Sequence, residues 1–261
     1  MIPHEKIRRK YLRASRAAIS KALAMQLAKF MSEIKTAQNY DDIIRAAEKE
    51  PEQEALAKAL ARIYIRVGTD FAKITVRDLK QKKAAPPPIE TDFWEATFEQ
   101  YAKTQLGQKI VWISNTTKEL YISIVQRVIQ TAGKTGLSIW DTAKEIQKQI
   151  GYSNHYRAER IARTEIIKAS NLGTLEAGKN ASIPTLKEWL PIVDEWSRPD
   201  HAAMDGQPPI AMDQQFNVGG TMMNYPGDES AGPEHVINCR CALNIVPAPE
   251  AETPEHEEIN L

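Results

Sequence analysis

The sequence predicts an α+β fold, with a mainly α-helical N-terminal two thirds followed by a small β-containing C-terminal domain. Three observations carry this. Apolar residues recur at helical spacings of three, four and seven through most of residues 5–180. Beyond Pro184, Gly, Pro, Asn and Asp become frequent and apolar residues fall in short alternating runs, the pattern of strands and ordered loops. Charge divides at the same place. Residues 1–181 carry 31 Lys/Arg against 20 Asp/Glu and residues 182–261 carry 3 against 14, although the 261-residue chain balances at 34 of each.

The elements follow in order. Residues 5–35 read as a long amphipathic helix with Leu12, Ile19, Leu23, Leu27, Phe30 and Ile34 on one stripe. A second helix is expected near Tyr40-Asp41-Asp42, where an aspartate can cap it. A third is expected over Glu52–Lys82, with Leu56, Leu60, Ile63, Val67 and Phe71 aligned. Pro86, Pro87 and Pro88 cannot continue a helix and mark a linker. Helices resume at Phe93–Leu106, with Thr91 as cap, then around Leu120, Ile124, Val128 and Ile129. Gly133-Lys134-Thr135-Gly136 interrupts them. It lacks the upstream glycine and leading strand of a phosphate loop, so it reads as a helix end. Ser138 caps a helix at Ile139–Ile150, and another runs over His155–Ala177. Strands are expected at Trp189–Val193 and Val236–Ile245. The division is therefore 1–82 helical, 83–91 linker, 92–181 helical, 182–246 α+β, and 247–261 an acidic disordered tail.

No apolar run approaches the roughly 20 residues that span a bilayer, and the basic N-terminus lacks the apolar segment of a signal peptide. Two cysteines do not make a disulfide framework. The charge asymmetry has two readings. Either the basic body meets nucleic acid or an acidic protein surface, or it pairs internally with an acidic cap.

The chemistry-bearing residues cluster late in the chain. Arg198, His201, Asp205 and Gly206 stand in SRPDHAAMDG, a Tyr225-Pro226-Gly227-Asp228 turn follows, and Asn238-Cys239-Arg240-Cys241 comes after it. In a strand, period two turns Ile237, Cys239, Cys241, Leu243 and Ile245 to one apolar face and Asn238, Arg240 and Asn244 to the other. The cysteines then simply pack, which needs no cofactor and no enzymatic role. A bridge between them is disfavoured, since strand residues two apart sit near the roughly 6.5–7 Å limit between Cα atoms. A second reading joins both thiolates to His201 and His235 in a tetrahedral zinc site. A third makes one cysteine a hydrolytic nucleophile, with His201 as base and Asp205 orienting it. Arg198 and Arg240 are expected to pair with Asp200, Asp205 or Asp228 and hold loops together. Arg163 and Glu165, two apart on one helix, face different neighbours.

Taken in order, Arg163, Glu165, Asn171, Trp189, Arg198, His201, Asp205, Gly206, Phe216, the Tyr-Pro-Gly-Asp turn, Asn238, Cys239, Arg240 and Cys241 resemble the phage Mu F-like minor head proteins. This is the head morphogenesis family of tailed bacteriophages and prophages. The resemblance covers about residues 100–246 and makes 182–246 the Mu F-like domain. His235 lies outside the family's motif. The resemblance implies a virion component, made in the host cytoplasm during assembly. It further implies contact with the portal protein and with capsid or scaffolding proteins, and handling of double-stranded DNA; the charge asymmetry makes the basic N-terminal region the part expected to meet that DNA. It implies no membrane, and it assigns no catalytic residue.

Overall fold

The computed structural model describes residues 3–81 and 91–249. The expected linker at 83–91, apart from Thr91, and the expected tail beyond residue 249 lie outside these residues. Helix α1 (Pro3–Ile34) has no internal glycine or proline and buries Ile19, Leu23, Phe30 and Ile34. Helix α2 (Tyr40–Ala47) is capped by Asn39 rather than by an aspartate. Asn39 Oδ1 accepts from the Asp42 amide at 3.0 Å, and the Asp42 carboxylate accepts from the Asn39 amide at 3.3 Å. This reciprocal box satisfies two otherwise orphaned donors.

The run expected as one helix over 52–82 is α3 (Glu54–Ile63), a π-helical turn (Tyr64–Gly68) and α4 (Thr69–Gln81). Close packing accompanies the wide turn. A Cβ on Gly68 would lie 2.5 Å from the Phe98 ring, and one on Gly173 would lie 2.3 Å from the Gly68 carbonyl oxygen. Two glycines thus let two backbones meet.

Helices α5 (Thr91–Thr135) and α6 (Ile139–Lys179) are each continuous, where two shorter helices were expected. Gly107 and Gly151 sit inside them without breaking them. An interior glycine costs only about 1 kcal/mol relative to alanine, and the buried residues beside them, Leu106, Ile113, Ile150 and Ala158, outweigh that. Gly136, at φ 69°, ends α5 in the left-handed conformation. Ser138 then opens α6, accepting from the Asp141 amide at 3.1 Å.

Strand β1 (Thr185–Leu190) is the centre of an antiparallel sheet of order β2–β1–β5, with β2 at Ile210–Ala211 and β5 at Ala242–Pro247. Trp189 pairs with Leu243. A short helix α7 (Pro199–Ala202), the hairpin β3 (Phe216–Val218) and β4 (Thr221–Met223), a 3-10 turn (Glu229–Ala231) and α8 (Pro233–Val236) fill the connections. The strand expected over Val236–Ile245 therefore begins only at Ala242 and runs on to Pro247. Asn238, at φ 58°, turns the chain so that residues 238–241 precede β5 as a loop.

One hydrophobic cluster joins α1, α3, α4, α5 and α6 to Trp189, Phe216, Cys239, Cys241, Leu243 and Ile245. A second, at the far end of the helices, holds Phe30, Ile43, Tyr121, Ile124, Ile146 and Ile150. The C-terminal half of α6 is buried on nearly every side, because α1 and α4 pack on it with the sheet. No helix among the described residues is long and apolar enough to cross a membrane.

Candidate functional site

Asn171, fully buried on α6, binds the C-terminal segment from below. Its Oδ1 accepts from Arg8 Nη2 at 2.6 Å and from the Leu243 amide at 3.0 Å. Its Nδ2 donates to the Pro226 carbonyl at 2.7 Å and the Cys241 carbonyl at 3.1 Å. All four hydrogen-bonding positions of one amide are used. Arg8 reaches the same place from α1. Its Nε donates to Ser170 Oγ at 2.8 Å, and its Nη1 donates to the carbonyls of Cys241 at 3.2 Å and Arg240 at 3.3 Å. Burial draws its pKa down to about 10, so it stays charged at neutral pH. Arg8 lies four residues before Leu12 on the apolar stripe, and that misplaced charge is the signal that could have marked it.

The Tyr225-Pro226-Gly227-Asp228 turn closes with the Asp228 amide donating to the Tyr225 carbonyl at 3.1 Å. Gly227, at φ 90°, suits its third position. Asp228 accepts from the Asn224 amide and from Ser230, which starts the 3-10 turn. That turn carries Glu229 over a buried ion cluster. Lys109 Nζ on α5 donates to Glu165 Oε2 at 2.6 Å, and the Tyr64 hydroxyl donates to the same oxygen at 2.8 Å. Lys109 also contacts Glu229, as does Lys168. Burial alone would depress Lys109, but Glu165 and Glu229 outweigh it and raise it. Lys168 is drawn down to about 8 by burial and by the nearby Lys109. Glu165 is thus a structural carboxylate with two buried partners. Arg163 points outward to Glu159 at 2.9 Å.

His201, Cys239 and Cys241 come together, all three buried. His201 Nδ1 lies 3.6 Å from Cys239 Sγ and 3.4 Å from Cys241 Sγ. Trp189 packs edge-on against His201, and Phe216 packs against Trp189. A hydrogen bond with Cys241 and one with His201 hold Cys239 well below the usual thiol range, against the opposing effect of burial. The bond to Cys239 and burial push Cys241 up. His235 is not part of the converging group. Its ring stacks on that of His201 at 5.7 Å and its Nε2 turns to Thr221 Oγ1 at 3.2 Å, so the expected four-ligand set is not assembled. Nor is the thiol–imidazole–carboxylate relay. Asp205 is exposed, and His201 Nε2 has no hydrogen-bond partner among the described residues.

The two late arginines hold loops, though with partners other than those expected. Arg198 Nη2 donates to the Ile237 carbonyl at 2.6 Å, and Arg240 clasps Asp194 with both terminal nitrogens, one at 2.6 Å. Asn238 is held from α6, its amide donating to Thr164 Oγ1 at 3.2 Å. Gly206, at φ 71°, takes the turn position its sequence suggests. Arg8, Arg9, Arg163 and Arg240 line a depression of about 340 Å³ between α1 and α6, with Glu5 the one acid among its lining residues. Arg8, Tyr64, Lys109, Thr164, Lys168 and Glu229 are the site residues not foreseen. Their partners lie tens of residues away, so spacing carries no trace of the contacts.

Residues 123–244 match the family model described as Phage Mu protein F like protein. No curated protein and no solved structure gives a match. The matched span begins in the middle of α5, takes in all of α6 and ends inside β5, and so includes the Asn171 frame, the thiol–imidazole group and both loop-holding arginines. Residues 123–244, just under half of the chain, are thus similar to the phage Mu F-like family, which points to a role in phage head morphogenesis.

Proposed function

We propose that the chain is a minor head protein that docks on the portal protein during assembly of a tailed phage head and remains in the virion. Its basic helical body would also lie against packaged double-stranded DNA. The observation that carries this is the arginine-lined depression between α1 and α6, where Arg9 and Arg163 are exposed beside Arg240. An acidic portal surface or a phosphate backbone would supply the opposite charge, and such contacts weaken as salt screens them. The basic body meets the acidic C-terminal cap through Lys109 and Lys168 at Glu229, but the arginines of the depression are not used in that pairing. Arg240 takes Asp194 from its own loop, while Arg163 takes Glu159 from its own helix. A hydrolase built on His201 is the weaker reading, since among the described residues no carboxylate hydrogen-bonds the imidazole.

Co-purification of the full chain with the portal protein of the same phage or prophage tests the docking. Arg9→Glu with Arg163→Glu is expected to abolish the complex at low salt without unfolding the chain. Retention of the complex by a folded double variant overturns the assignment of this face. For DNA, affinity is expected to fall by a factor of about forty or more between 50 and 200 mM salt, as three or more phosphate contacts require. A salt-independent affinity refutes the electrostatic contact.

A further inference from the structure

We propose that His201, Cys239 and Cys241 bind one zinc ion. Their ligand atoms all lie within 4.8 Å of one another, and each residue is buried. The spacing is that of a shared tetrahedral ion. Zn–S of about 2.3 Å and Zn–N of about 2.0–2.1 Å at the tetrahedral angle place a nitrogen and a sulfur roughly 3.6 Å apart. The two nitrogen–sulfur separations here are 3.6 and 3.4 Å. A hydrogen bond explains one such contact but not both. Nδ1 has a single lone pair, so it accepts from one thiol only, and the other thiol, which can bond to its neighbouring sulfur, still lies within contact of the same nitrogen.

The frame around the group is that of a preorganised site. Residues 238–241 are fixed before any ligand arrives. Asn238 is held to Thr164, Arg240 to Asp194, and the carbonyls of Arg240 and Cys241 to Arg8. Trp189 fixes the imidazole from its face. Such outer contacts set ligand direction and raise metal affinity. Binding would convert Zn²⁺ and two thiols to a neutral dithiolate complex with release of two protons, which leaves no net charge in a buried place. Thiolate and imidazole donors together select zinc over hard cations such as magnesium or calcium. The fourth position falls to a water. A cavity of about 20 Å³, lined by Ser197, Arg198, Asn238 and the three ligands among others, adjoins the group and has room for one. The site would clamp the loop before β5 to α7, a structural role that needs no substrate.

The test uses the full chain, purified reduced and without chelator. About one zinc per chain is expected by elemental analysis. Cobalt loading should give the absorption of a tetrahedral site with thiolate charge transfer. Both should be lost in Cys239→Ser with Cys241→Ser and in His201→Ala. Because these variants could fail to fold, the wild-type protein is also stripped and refilled. Zinc at a hundredfold excess over its dissociation constant should raise the unfolding midpoint by about 5–10 °C. A folded, reduced wild-type protein that takes up neither zinc nor cobalt, and melts at one temperature with and without chelator, overturns the proposal. So does a cysteine double variant that keeps its full zinc content.

Discussion

Asn171→Ala is the sharpest single perturbation of the frame beneath the C-terminal segment. The side chain is wholly buried and makes four hydrogen bonds. Two of its partners have somewhere else to turn. The Cys241 carbonyl keeps Arg8, and Arg8 keeps Ser170 and two carbonyls. The Leu243 amide and the Pro226 carbonyl keep no other partner among the described contacts. Stranding a buried polar group costs about 1–3 kcal/mol, so the loss should be about 3–5 kcal/mol once the weakened hold on Arg8 is added. A domain stable by about 5–15 kcal/mol feels this strongly. Urea unfolding followed by circular dichroism gives the number, and the thermal midpoint should fall by at least roughly 6–12 °C. Ser170→Ala is the comparison. It removes one acceptor of Arg8 and should cost about 1 kcal/mol. If Asn171→Ala costs under about 1 kcal/mol, or no more than Ser170→Ala, the Asn171 amide is not what holds the segment to α6.

Lys109→Ala should cost about 3–5 kcal/mol, because it leaves Glu165 buried without its cation. Arg45→Ala, at an exposed pair with Asp42, should stay within about 0.5 kcal/mol in the same unfolding assay. Gly173→Ala should destabilise by about 1–3 kcal/mol, since its Cβ meets backbone at Gly68 that cannot step aside. Gly151→Ala, with open space around it, should instead stabilise by about 0.5–1 kcal/mol. Thermal melts of the two should move in opposite directions. In alkali, burial raises Tyr101 and Tyr121 from 10 to about 12, and lifts Tyr64 and Tyr225 further. Their contribution to stability is complete below pH 10 and is lost as pH rises from 10 through their folded values. Ultraviolet titration should therefore show these four tyrosines ionising only as the fold is lost. A smooth titration of all eight near pH 10 would contradict their burial.

The fold class was legible because the two periodicities that define it do not overlap. The α1 stripe and the run from Leu56 to Phe71 each set one face of a helix into the core, fully for the second and with Leu12 and Leu27 only half-buried in the first. Helix ends were read less well. Helices expected to end at Leu106 and Ile150 run on through Gly107 and Gly151, because a lone glycine is too weak a penalty to stop a helix packed along its length. Asn39 rather than an aspartate caps α2, since the Asp42 side chain points back and accepts from the chain before it. At the site, strand periodicity turned both cysteines one way. The same convergence arises differently, from a loop whose direction is set by Asn238 at positive φ and by Arg8 from a distant helix. Lys109 and Lys168 were invisible as site residues because a basic residue in a basic helical region looks solvent-facing until its neighbours are known, whereas Arg8 stands on the apolar stripe of α1.

The most direct test of the central claim is the composition of heads purified from the phage or prophage that encodes the chain. Mass spectrometry should find it in intact particles at low copy alongside the portal protein, and deleting its gene should sharply reduce the yield of filled heads. Particles of normal number and DNA content that lack the chain altogether would contradict it.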